Sequence, residues 1–127
     1  MKGATAKLLE KAGRAIAAGE SALRDGHTEA AVGRAYYAMF HVAQGLLNER
    51  ELRFRKHGGV HSAFGEHFVK TGEFDPRYHR QFLAAFNKRI VADYGVEIEL
   101  TTSEVEKALA QARNFLDAAR RFLELCP

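Results

Sequence analysis

Thr28-Glu29-Ala30-Ala31-Val32-Gly33-Arg34-Ala35-Tyr36-Tyr37-Ala38-Met39-Phe40-His41-Val42-Ala43-Gln44-Gly45-Leu46-Leu47-Asn48 decides the fold. Val32, Ala35, Tyr36, Met39, Ala43, Leu46 and Leu47 recur at three-four spacing, so the stretch reads as a helix with a broad apolar stripe. Asp25-Gly26 stops the segment before it, Thr28 can cap its start, and Glu29 suits its positive end. Arg34, Tyr37, His41, Gln44 and Asn48 fall on the opposite face. A solvated face accounts for Arg34, Gln44 and Asn48, but Tyr37 and His41 ask for more. Arg34, Tyr37 and His41 are therefore candidates for a dimer interface or the lining of its cleft, against ordinary packing on another helix.

The same periodicity continues on both sides. Ala4 to Leu23 forms a first helix, with Leu8, Ala12, Ala15, Ile16, Gly19, Ala22 and Leu23 on one face. Glu49 to Gly59 reads as a charged loop ending in a glycine pair. A third helix follows from about Val60 to Lys70, closed by Thr71-Gly72. Asp75-Pro76 is a start signal for a fourth helix to about Tyr94, ended by Gly95. Ser103 and Glu106 have capping-box spacing and open a fifth, whose apolar face runs from Val105 to Leu123. With two prolines and almost no strand-like alternation, the chain is expected to be all-α: an up-and-down antiparallel bundle of about five helices.

Bulk properties bound the function. At 127 residues, 46% hydrophobic and 28% charged, residues 1–127 are expected to form one globular domain. No apolar run approaches a membrane span, and the start lacks a signal-like core, so no membrane role and a cytoplasmic location are expected. The single cysteine, Cys126, argues against disulfides and thiolate metal sites. His57 and His61 are four apart, but Gly58-Gly59 argues against a continuous helix there and nothing completes a ligand set. No metal and no cofactor are expected. The net charge of +3 is mild, but its surplus is local: Arg50, Arg53, Arg55, Lys56 and His57, with Phe54 among them, have the composition of a phosphate-contacting patch. A solvated loop is the rival reading.

Five segments in order carry a family likeness: Arg34 to His41, His57 to Phe64, Phe68 to Gly72, Arg89 to Tyr94, and the amphipathic run Ala112 to Leu123. Together they resemble a HEPN domain, over nearly the whole chain. The resemblance implies a helical bundle that commonly forms homodimers and binds nucleotide or RNA. It also implies pairing with a minimal nucleotidyltransferase as a toxin-antitoxin-like module. Many members are metal-independent ribonucleases with an arginine followed, after four to six residues, by a histidine. In that chemistry the histidine handles the 2'-hydroxyl proton and the arginine stabilises phosphate charge. Arg89 takes the arginine position, while Tyr94 stands where the histidine would be. Tyrosine is a poor base at neutral pH but can donate a hydrogen bond. The tyrosine that partners modify in some members corresponds to Val96.

Arg89 and Asp93 lie four apart on one face, as an ion pair or as a phosphate-binding arginine oriented by a carboxylate, with Tyr94 beside them. Three functions follow. The first is the HEPN component of a two-component module with a nucleotidyltransferase, the second a divergent ribonuclease using Arg89 and Tyr94, and the third a non-catalytic dimeric scaffold.

Overall fold

A computed structural model describes residues 1–95 and 99–125. They form α1 (Gly3–Arg24), α2 (Thr28–Glu49), α3 (His57–Phe64), a π-helical turn (Gly65–Val69), α4 (Pro76–Tyr94) and α5 (Thr102–Leu125), with no strand among them. Val96 and Cys126 lie outside the described residues.

The four long helices run up and down. Asn48 near the end of α2 meets Thr5 at the start of α1, while Gly19 late in α1 lies against Ala31 and Arg34 early in α2. α5 returns antiparallel to α1, with Leu109 near Gly19 and Leu116 near Gly13. Gly19 lets α1, α2 and α5 converge: a Cβ there would fall 2.6 Å from Leu109 Cδ2. α3 and the π-helical turn form a short crossing segment between α2 and α4.

α2 is the centre, packed against α1, α3, α4 and α5. Tyr36, Met39, Leu46 and Leu47 are fully buried, as the stripe predicts, but Ala38, Phe40 and Val42 outside the stripe are buried too. Each large apolar side chain so enclosed contributes roughly 1.5–3 kcal/mol. Asn48, expected on a solvated face, is also buried: its Nδ2 donates to Thr5 Oγ1 at 3.1 Å, and its Oδ1 accepts from Arg53 Nε at 3.2 Å.

The helix ends refine the expectations. Gly26, at φ +82°, closes α1 in the left-handed conformation, with its N–H on Leu23 O and that of His27 on Ala22 O. Asp75 caps α4 by accepting from Arg77 N at 2.9 Å, as expected. Thr28 lies inside α2 and makes no cap. At α5 the cap is Thr101, whose Oγ1 accepts from Glu104 N at 3.1 Å, placing it two residues before the expected Ser103. Gly58 and Gly59, expected to prevent a helix, form the first turn of α3, where glycine costs least because those N–H groups have no intrahelical partner.

Candidate functional site

The structure brings together a group that no local spacing announces. Tyr36, from the buried side of α2, places its hydroxyl 2.6 Å from His57 Nδ1 and 2.7 Å from His61 Nε2. The two histidines lie one turn apart on α3, so the helical continuity through Gly58-Gly59 builds the pair. Phe82 and Phe86 of α4 wall the cluster: Phe82 stacks on the Tyr36 ring, and both meet the His61 ring edge to face.

Arg89 approaches from α4. Its guanidinium carbon stands 5.1 Å from the Tyr37 ring centroid and 5.7 Å from that of Tyr36. His57 contacts the same two rings, so arginine and histidine share one aromatic platform. Of the residues expected around Arg89, Asp93 is an exposed ion partner at 3.6 Å, and Tyr94 is 76% exposed.

Burial sets the electrostatics. It pushes the His61 imidazole down to about 4, aided by His57 and His79. Burial and then the Arg89 charge lower His57 as well. Burial holds the Tyr36 phenol well above its ordinary range, against the opposing pull of Arg89. At neutral pH the cluster therefore consists of neutral imidazoles around a neutral phenol.

A phenol has one proton to donate, so one histidine must donate to Tyr36 Oη while the other accepts from it. When His61 donates, Tyr36 donates to His57 Nδ1 and the outer nitrogen, Nε2, of His57 carries hydrogen. When His57 donates through Nδ1, its Nε2 is a bare acceptor. The arrangement can thus present either a hydrogen-bond donor or a general base beside Arg89.

His79 supports the inner histidine from behind. Its Nε2–H donates to the carbonyl of His61 at 3.1 Å, where α3 passes into the π-helical turn. Gly65 admits that ring, since a Cβ there would lie 2.9 Å from His79 Cε1.

The expected phosphate patch divides. Arg50 is engaged internally: it pairs with Glu73, donates to His67 O at 2.8 Å and lies 4.1 Å over the Phe68 ring. The Arg50 hydrogen bond holds the Glu73 carboxyl below the usual range. Arg53 is held by Asn48, and His57 turns inward to Tyr36. Arg55 and Lys56 are exposed. Arg34, Tyr37 and His41 share one face as expected, on the wall of a groove between α1 and α2. Among the described residues, no group of three or more His, Cys, Asp or Glu is placed to hold a metal. Nor is any helix among them long and apolar enough to cross a membrane.

The chain that folds into this antiparallel bundle matches the HEPN domain model over residues 5–122 and belongs to that family. It is 35% identical to the protein named "Putative toxin MJ0142" of Methanocaldococcus jannaschii, over 92% of this chain and 80% of that one. It is also 35% identical to a UPF0332 protein of Thermotoga maritima, over 80% of this chain and 77% of the other. A second Methanocaldococcus jannaschii protein, "Putative toxin MJ0605", is 38% identical over 74% of this chain and 69% of its own length.

Sequence reasoning missed Tyr36, His61 and His79 as site residues and placed His57 in an outward patch. The available signal was the His57–His61 spacing, discounted because of the intervening glycines.

Proposed function

We propose that this chain is the toxin-like HEPN component of a two-component module completed by a minimal nucleotidyltransferase, and that it engages RNA or nucleotide phosphate through Arg89. The observation that carries this reading is the station of Arg89. Its guanidinium rests on two tyrosine rings, and its carboxylate partner is an exposed Asp93 at 3.6 Å. That separation is longer than a charge-assisted hydrogen bond of about 2.7–2.9 Å, so a phosphate can compete for the guanidinium. The names of the two Methanocaldococcus jannaschii relatives support the toxin side. Arg55 and Lys56 extend positive charge from the turn leading into α3.

A second reading, a divergent metal-independent ribonuclease, is favoured by Arg89 lying beside His57. In it the Tyr36–His57 pair takes the proton-handling role expected of Tyr94. One experiment addresses both readings: a labelled single-stranded RNA is incubated with the protein in EDTA, and binding and cleavage are followed. Arg89→Ala is expected to weaken binding about 10- to 100-fold, the worth of a charged hydrogen bond. Affinity unchanged in Arg89→Ala would remove Arg89 from the ligand site. Cleavage lost in His57→Ala but kept in Tyr94→Phe is the ribonuclease outcome.

A further inference from the structure

The groove between α1 and α2 is not explained by the Arg89 site. It has a volume of about 530 Å³ and is lined by Lys11, Arg14, Arg34, Tyr37 and His41, with Ala15 and Ala18 leaving room between the helices. Every ionised side chain on its wall is a cation. Two other concavities mix signs, one bringing Glu20 and Glu106 to Arg24 and Arg113, another Glu104 to Arg80, Lys88 and Lys107, and a third carries Glu66 with no lysine or arginine. Lys2, Arg50, Lys70, Arg89 and Arg113 have a carboxylate partner; among the described residues the remaining lysines and arginines, Lys11, Arg14 and Arg34 with them, have none. Lys11 and Arg14 are one turn apart on α1 and both face the groove, while Glu10 is not among its lining residues.

Tyr37 joins the groove to the candidate site. It lines the groove, and the guanidinium of Arg89 lies 5.1 Å from its ring centroid. Cations therefore continue from Arg89 across an aromatic face to Arg34, Lys11 and Arg14.

We infer that this groove is a backbone track for single-stranded RNA, in which Lys11, Arg14 and Arg34 take successive phosphates and Tyr37 offers a stacking face between them and Arg89. The inference rests on the proposed RNA ligand at Arg89 and makes it an extended strand, not a lone nucleotide. A chain of evenly charged phosphates matches an all-cationic wall bearing a half-buried aromatic. A second copy of this chain matches it poorly, because a two-fold interface would set the same three cations against themselves.

The test compares the wild type with Lys11→Ala/Arg14→Ala/Arg34→Ala. Binding of a fluorescein-labelled polyuridine of about 20 nucleotides and of a uridine dinucleotide is followed against salt. The strand is expected to bind at least about tenfold more weakly to the variant, with its log-log salt slope reduced by about 2, the contribution of three single-strand phosphates. Dinucleotide binding, which Arg89→Ala weakens, is expected to stay unchanged. Arg14→Lys/Arg34→Lys, which keeps the charge, should keep the slope; its loss there would count against a phosphate track. An unaltered strand affinity and slope in the triple variant overturns the groove while leaving Arg89 in place. A wild type that binds neither RNA overturns both. A change of mass by light scattering with strand affinity intact makes a second copy the occupant and overturns the RNA track.

Discussion

Tyr36 ties α2 to α3 through one oxygen. Replacing it with phenylalanine keeps the ring stacked on Phe82 but leaves His57 Nδ1 and His61 Nε2 without their shared partner. Tyr36→Phe is expected to lower stability by about 1–3 kcal/mol in urea unfolding, the cost of orphaned buried polar groups. The same cluster sets a pH dependence. His61 titrates near 6.5 when unfolded and about 4 when folded, so below 6.5 the unfolded chain binds more protons. The stability contributed by neutral His61 is therefore present above 6.5 and is lost progressively as pH falls towards 4. The urea midpoint is expected to drop between about pH 7 and about pH 5, and to drop less in His61→Gln. A wild-type midpoint flat across that range would mean that the imidazole is not held neutral by burial.

Single side chains also fasten elements together. Arg50, just past α2, reaches the π-helical turn through His67 O and the turn before α4 through Glu73, over the Phe68 ring. Arg50→Ala is expected to destabilise the fold by about 1 kcal/mol, as suits an exposed ion pair over an aromatic ring, with little rescue by lysine, whose ammonium cannot fork to both partners. RNA affinity is expected to change little; a large loss of affinity at unchanged stability would place Arg50 in the ligand site. The long helices were legible because period, stop and cap signals are local, as at Asp25-Gly26 and Asp75-Pro76. The start of α3 was not, since Gly58-Gly59 is a local signal overruled by the distant hold of Tyr36 on both histidines. The site was hidden for the same reason. Tyr36 lies 21 and 25 positions from its partners, and no periodicity reports a contact across that separation. Arg89 is a candidate from the sequence, but its neighbourhood comes from α2 and α3, which the spacing to Tyr94 cannot reveal.

At the scale of the whole molecule, the proposed module predicts association with another chain. Co-expression with a nucleotidyltransferase encoded next to this gene should yield a complex that survives size-exclusion chromatography. Separate elution of the two proteins would count against the pairing and leave the RNA readings to stand alone.

The enclosure of α2 has an evolutionary consequence. A helix packed against four others can vary little along most of its length, because nearly every substitution must refit a neighbour. Freedom remains on the strip through Arg34, Tyr37, His41 and Gln44. Substitutions along that strip can therefore reshape the wall of the groove between α1 and α2 while the framework stands still.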